Sequence, residues 1–203
     1  MSAYTLTFEA VASIADPDLV TRACAGREDC FEELVRRYQR PIAAYVYRMI
    51  GDYDMALDLT QEVFIKVYNS LARYRPEYKF STWIYKIAHN AAIDYLRRHG
   101  SRAFIGNLDG EADGECYERT FASAALTPEQ ASEKAERCAA IEAVVQKLPH
   151  AYRELIVLRH SHDLNYEEIA EVTGLPLGTI KNRIFRAREI MRQQFLQKGI
   201  TGI

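Results

Sequence analysis

The stretch NYEEIAEVTGLPLGTIKNRIFRAREIMR, residues 165–192, reads as two short helices joined by a tight turn, the second of them basic. Asn165 is placed to cap the first helix, and Glu168, three residues on, to reach back to it as in a capping box. Gly174 supplies a left-handed stop, and Pro176 stands where a new helix begins. At 3.6 residues per turn the second helix gathers Ile180, Ile184, Ala187 and Met191 on one side, the expected buried stripe. The opposite side carries Gly178, Asn182, Phe185, Arg186 and Glu189, with Lys181 and Arg183 at its flanks. An aromatic on the polar face of such a helix buries nothing until a partner covers it. A DNA major groove would cover Phe185: the ring can touch a thymine methyl, Lys181 and Arg186 can reach base edges or phosphates, and Asn182 can pair with adenine. Arg159, near the end of the preceding helix, is the expected phosphate clamp. The stretch reads as a helix-turn-helix.

A net charge of −2 over 203 residues is low for a DNA-binding chain, so its distribution carries the argument. Residues 1–100 hold 13 basic and 13 acidic side chains, 101–130 hold 2 and 6, and 131–203 hold 11 and 9. Basic charge is local, with five basic against one acidic residue over 181–192 and six against two over 73–98. So few cations neutralise few phosphates, which predicts weak binding to free DNA and the need for a larger partner.

The rest of the composition is that of an ordinary soluble chain, with room for one domain or two small ones. No apolar run approaches the roughly 18 residues of a membrane span, and the start, MSAYTLTFEAVASIADPD, lacks a basic region before an apolar one. Neither insertion nor export is expected. Cys24, Cys30, Cys116 and Cys138 have no CxxC spacing and fall mostly within helical patterns, so buried reduced thiols are expected rather than disulfides or zinc ligands. His160-Ser161-His162 has no accompanying metal set, and no metal or cofactor is expected.

Along the chain, Asp16-Pro17-Asp18 opens a short helix that Gly26 closes. A long amphipathic helix follows over residues 27–50, with Phe31, Leu34, Val35, Tyr38, Ile42, Val46 and Met49 at helical spacing and Pro41 expected to kink it. After the turn Gly51-Asp52-Tyr53, Asp54 is expected to cap a third helix, MALDLTQEVFIKVYNSL, whose core stripe is Thr60, Val63, Val67 and Leu71 with Phe64 beside them. Its other face presents Asp58, Gln61, Glu62 and Ile65 at i, i+3, i+4 and i+7, one apolar residue among polar ones. Next, ARYRPEYKFSTW interleaves Tyr74, Tyr78, Phe80 and Trp83 with Arg73, Arg75 and Lys79. Rings beside cations are what single-stranded nucleic acid requires; packing into the core is the alternative use of the same rings. Ser81 or Thr82 is expected to cap a fourth helix with core stripe Ile84, Ile87, Ala88, Ala91 and Tyr95 and an outer row Lys86, Asn90, Ile93 and Arg97. Over residues 101–130, with Gly106, Gly110, Gly114 and six acids, the period stops and a flexible linker is expected, able to bridge on the order of 100 Å when extended. Helical pattern resumes through Cys138, Ile141, Val144, Val145 and Leu148, breaks at Pro149, and runs again to Arg159. There is no β signal and no internal repeat.

Together these residues resemble a bacterial RNA polymerase sigma factor of the extracytoplasmic-function group. DLTQEVFIKVY (residues 58–68), FSTWIYKIAHNAAIDYLRR (80–98) and LPHAYRELIVLRH with LNYEEIAEVTGLPLGTIKNRIFRARE (148–189) follow the family's patterns in the family's order. The resemblance implies an all-α chain of two small helical domains: a tail over 1–15, sigma domain 2 over 16–100, a linker over 101–130 and sigma domain 4 over 131–203. It implies that Asp58, Gln61, Glu62 and Ile65 dock on the clamp helices of the polymerase β′ subunit, with the β subunit also contacted. By the same resemblance Arg75, Tyr78, Lys79, Phe80, Trp83, Lys86, Asn90 and Arg97 melt and read the −10 promoter element. Arg159, Lys181, Asn182, Arg183, Phe185 and Arg186 read −35 as duplex. Members often carry Ser or Arg around Asn182 and Lys181, so no base preference is carried over. The implied partners are core polymerase, promoter DNA and an anti-sigma factor, in the cytoplasm or held at the membrane by that factor, with no small-molecule substrate. No long domain follows Arg192, so no further C-terminal regulation is expected.

Other functions fit less well. A dimeric transcription factor would share the helix-turn-helix but lacks a reason for the aromatic loop. An enzyme lacks a site: His89 and Asp94, five apart on one helix, do not meet, and no nucleophile or phosphate loop accompanies them. A pure protein-interaction module leaves the basic faces unexplained.

Overall fold

A computed structural model of the chain describes residues 11–75, 77, 79–99, 128–160 and 162–197, with side chains placed from 136 onward in the fifth helix. Among these residues every regular element is helical: α1 (Asp16–Cys24), α2 (Glu28–Ile50), α3 (Tyr53–Ser70), a 3-10 turn (Leu71–Arg73), α4 (Phe80–His99), α5 (Pro128–Gln146), α6 (His150–His160), α7 (Tyr166–Thr173) and α8 (Leu177–Gln197). The chain divides into two compact units, the first of which ends its main run at Arg98. Most of the expected linker, with Cys116 and its glycines, lies outside the described residues, as do Tyr78 and Ser161.

In the first unit α2 is the central rod, burying Leu34, Ile42, Ala43, Tyr45, Val46, Met49 and Ile50 against its neighbours. Pro41 sits inside it without ending it. Gly51, at φ 79°, takes the left-handed conformation that stops α2, and its N–H donates to the Tyr47 carbonyl at 2.8 Å. The cap of α3 is Asp52 rather than Asp54: Asp52 has extended backbone, and its carboxylate accepts the Met55 N–H at 3.0 Å, whereas Asp54 is already in the first turn. Thr60, Val63, Phe64, Val67 and Leu71 are buried as expected. α4 begins at Phe80, two or three residues earlier than a Ser81 or Thr82 cap allows, and the Trp83 N–H donates to the Lys79 carbonyl. Ile87 and Tyr95 are only half-buried, while Tyr85, His89 and Ala92 go inside. The rings explain that rotation. Tyr45 on α2 meets Tyr85 edge-on at 5.6 Å, and its hydroxyl lies 3.1 Å from Nδ1 of His89.

One buried charge organises the outer side of α2. Glu33 is 3% exposed, and its carboxylate accepts from Arg36 Nε and Nη2 at 2.7 Å each and from Arg37 Nε at 2.8 Å. These bonds, the Arg36 pair foremost, hold its carboxyl below the ordinary range despite burial.

In the second unit α6 is central, with Glu154, Leu155, Ile156, Val157 and Leu158 buried in succession because neighbours cover it all round. α8 packs on α6 and α5. Arg153 closes the α5–α6 corner by donating through Nη2 to the carbonyls of Gln146 and Leu148. Asn165 forms the expected capping box, accepting the Glu168 N–H and donating to its carboxylate at 2.8 Å each, and Gly174 stops α7 at φ 72°. Ile180, Ile184 and Ala187 are buried in α8, but Met191 is half-exposed and Phe195 takes the inner position one turn later.

Glu154 is 6% exposed, and burial, opposed by the Arg183 charge, pushes its carboxyl from 4.5 up to about 7. A raised folded-state value means that the folded unit holds a proton the unfolded chain releases. The stabilisation is therefore complete below about pH 4.5 and is lost as pH rises through about 7. We predict that Glu154→Gln and the wild type melt alike at pH 5, and that the variant is the more stable at pH 8, by a few kcal/mol. Calorimetry of the whole chain across that range checks it; a pH-independent difference contradicts it.

Candidate nucleic-acid interface

Three surfaces hold the residues singled out from the sequence. On α3, Asp58, Gln61, Glu62 and Ile65 are all exposed, Ile65 by 60%, and Lys66 pairs loosely with Glu62 at 3.9 Å. The same row continues into Tyr68, also exposed, whose ring meets Phe31 of α2 edge-on at 5.0 Å. Sequence reasoning stopped at Ile65, although Tyr68 stands three residues on and so on the same face. The surface is an apolar ridge beside two acids.

Around the start of α4 the structure separates the expected residues into two groups. Arg75, Lys79, Lys86, Asn90 and Arg97 are exposed, and Trp83 is half-buried. Phe80 is 2% exposed, closed in by Tyr38 at 5.2 Å, Tyr74 at 5.8 Å and Trp83 at 5.8 Å. It therefore offers no open face for a base to stack on, contrary to expectation. Because α4 starts at Phe80, the ring is turned toward α2 and becomes the floor under Tyr74 and Trp83. Arg97 is tied to Asp94 one turn back, so the outer row is less cationic than its Lys and Arg count implies.

On α8, Lys181, Asn182, Phe185 and Arg186 are exposed together, Phe185 by 71%, while Arg183 is half-buried and directs its charge at Glu154. Arg188 is a further exposed cation on this helix, with Nη2 at 3.3 Å from Nε2 of His160. Burial, with Arg188 and Arg159 nearby, holds the His160 imidazole below its ordinary value. Arg159 departs from a free phosphate clamp. Its Nη1 donates to the Leu164 carbonyl at 3.1 Å and its guanidinium lies 5.5 Å from the Tyr166 ring centre, so it ties the α6 end to the start of α7.

The cysteines also differ from expectation. Cys30 is buried, and that burial pushes its thiol up, but Cys138 is half-buried and Cys24 is exposed, its Sγ 3.5 Å from the Leu71 carbonyl. Among the described residues no three His, Cys, Asp or Glu side chains gather as a metal set, and no helix is long and apolar enough to cross a membrane.

The family described as sigma-70 region 2 matches residues 34–102, and sigma-70 region 4 matches residues 138–191. The chain is 38% identical over 175 residues to the RNA polymerase sigma-H factor of Pseudomonas aeruginosa, covering 86% of this chain and 90% of that one. It is 37% identical to the extracytoplasmic-function sigma factor SigW of Bacillus subtilis, over 83% and 90% of the two chains. It is also 37% identical to the sigma-E factor of Escherichia coli K12, over 87% and 92%. Among solved structures, CnrH in complex with the cytosolic domain of CnrY matches with a TM-score of 0.62 at 24% identity, over 89% of this chain and 96% of that one. RpoE of Bartonella quintana with the anti-sigma factor NepR matches with a TM-score of 0.62 at 20% identity, over 81% and 96%. These two likenesses concern the fold.

The geometry of α8 and its approach makes one prediction. Arg159→Ala removes a hydrogen bond and a cation–ring contact, and lowers stability by about 1 to 2 kcal/mol. Lys181→Ala, at an exposed position, leaves the melting curve where it was. Denaturant titration of both variants distinguishes a structural Arg159 from a free one.

Proposed function

The chain belongs to the extracytoplasmic-function group of sigma-70 factors, and we propose that it engages core RNA polymerase through α3, reads −35 as duplex with α8, and reads −10 as unpaired strand beside α4. The observation that carries the reading is Phe185, 71% exposed on the cationic face of a capped helix-turn-helix. A solvated ring of that size is favourable only when a second surface removes it from water. Lys181, Asn182 and Arg186 around it supply the charge and amide chemistry of base and phosphate contacts. Arg183 is half-buried at the flank of this face, and Arg159 fixes the entrance to the motif rather than gripping a phosphate with its whole guanidinium.

The −10 reading rests on Trp83 and Tyr74 above the buried Phe80, with Arg75, Lys79, Lys86 and Asn90 exposed around them. Rings flanked by cations return part of the stacking energy lost when a duplex opens, and the Asn90 amide is able to hydrogen-bond a base edge at the rim. In this assignment residues 16–100 form sigma domain 2 and 131–203 form sigma domain 4, joined by 101–130. The β′ clamp helices are the partner for Asp58, Gln61, Glu62 and Ile65, with the β subunit contributing elsewhere. The two solved relatives named above are held by CnrY and by an anti-sigma factor, and an anti-sigma partner is proposed for this chain too. Its place of action is the cytoplasm.

The deciding experiment adds the whole chain to core polymerase and reads promoter-dependent transcripts; none above the core background overturns the proposal. Ile65→Lys places a charge at the centre of the α3 ridge and abolishes co-purification with core enzyme while helicity by circular dichroism is kept. Wild-type assembly by that variant would show the face to be merely solvated. Arg186→Ala weakens the −35 interaction by about 1 to 3 kcal/mol if the side chain reads a guanine. A variant carrying Asn182→Ala, Phe185→Ala and Arg186→Ala loses −35 preference altogether, and an unchanged preference removes α8 from that role.

A further inference from the structure

Asp16, the first residue of α1, is joined to α2 by both of its carboxylate oxygens. Oδ1 accepts from Arg37 Nη1 at 2.6 Å, and Oδ2 accepts from the Tyr38 hydroxyl. The same guanidinium donates through Nη2 to the carbonyls of Ala12 at 2.9 Å and Ile14 at 2.8 Å, so it also fastens the backbone that enters α1. Tyr38 passes the connection onward. Its ring meets Phe80 edge-on at 5.2 Å and 70°, Phe80 meets both Tyr74 and Trp83, and those two meet each other at 5.3 Å. A chain of direct contacts thus runs from the start of α1 to the two rings that bracket residues 75–79.

Each link constrains the next for a physical reason. A phenol bonded to an ionised carboxylate is held more firmly than one bonded to water. Edge-to-face rings have a preferred tilt, so a turn of Tyr38 changes what Phe80 meets. Phe80 is fully enclosed, and a close-packed interior has no slack in which to absorb that change. The Tyr38 hydroxyl, moreover, adds nothing to the apolar packing of its own ring; the bond it makes reaches a carboxylate on another helix.

We propose that Asp16 and Tyr38 are positioning residues for −10 reading, the carboxylate orienting the Tyr38 ring and that ring, through Phe80, setting where Tyr74 and Trp83 stand. This rests on the −10 assignment to the α4 surface made above. The N-terminal helix thereby takes part in promoter selection without touching DNA.

Trp83 is the one tryptophan of the chain, so its emission and its quenching by acrylamide report on the site directly in the free protein. The test compares wild type, Tyr38→Phe, Asp16→Asn, the double variant and Asn90→Ala. Each is assembled with core polymerase and read on promoters randomised at −10 with a fixed −35. Tyr38→Phe keeps the ring and its apolar contacts, so its affinity for core enzyme stays at wild type, while loss of the bond to Asp16 lowers its melting temperature by only a few degrees. The expected result is an altered Trp83 quenching constant and a fall of about fivefold in discrimination among −10 sequences, the effect of one lost hydrogen bond. The double variant falls no further than Tyr38→Phe alone, because residue 16 acts on −10 reading only through the hydroxyl that Tyr38→Phe removes. Unchanged Trp83 emission in Tyr38→Phe and Asp16→Asn overturns the proposal, and so does altered emission with an unaltered −10 preference while Asn90→Ala does change that preference. A uniform loss at every −10 sequence overturns it as well. If Asn90→Ala also leaves the preference unchanged, the −10 assignment itself fails and the proposal falls with it.

Discussion

A helix with 3.6 residues per turn cannot point one residue at a core without pointing the residue two places away nearly opposite. In α3 the pair Val63 and Val67 is fully buried, and that alone drives Ile65, between them, outward. In α8 the burial of Ala187 does the same to Phe185. Both exposed apolar residues therefore follow from packing on the other side of their own helix, and neither side chain has an inward alternative. The proposed contact faces are the reverse of the core stripes, so whatever holds the stripes in place also aims the faces. That dependence makes the packing of α3 on α2 and of α8 on α6 the condition for everything the surfaces do.

The order and type of the helices were legible because the stripes are periodic and the stops are marked, as at Gly51, Gly174 and the Asn165–Glu168 box. Legibility failed where two residues of the same chemistry compete. Asp52 and Asp54 are equally good caps on paper, and only the backbone, extended at Asp52, decides between them. Phe80 and Trp83 read alike as stacking rings until tertiary contact with Tyr38 encloses the first. In α4 the expected Ile84, Ala88 and Ala91 are buried, but Ile87 and Tyr95 stay half-buried because Tyr45 draws in the flank that carries Tyr85 and His89. Burial of Glu33 and Glu154 was not legible at all: a helical wheel assigns acids to solvent, and their partners lie in other turns or helices.

Each unit holds both paired and exposed charges. In the first, Glu33, Arg36, Arg37 and Asp16 form one network and Asp94 holds Arg97, while Arg75, Lys79 and Lys86 are exposed. On α8, Arg192 pairs with Glu189, whereas Lys181 and Arg186 are exposed. A chain so close to neutrality relies on combining modest contacts. Two weak sites on one carrier reinforce each other when the carrier holds them at the right spacing, which is how a large polymerase partner would raise affinity without added charge.

The Glu33 network also bears on how such chains diverge. Arg36 and Arg37 both answer to one enclosed carboxylate, and Arg37 answers to Asp16 besides. Substitution at 33 leaves Arg37 held by Asp16 and the carbonyls of Ala12 and Ile14 alone, and substitution at 37 leaves Glu33 to Arg36 and Asp16 to Tyr38. Replacing Asp16 or Arg37 alone is costlier than replacing the pair by side chains that fit each other. A chimera that exchanges the segment before residue 28 between related chains parts Asp16 from Arg37 and Tyr38 unless matching α2 residues travel with it.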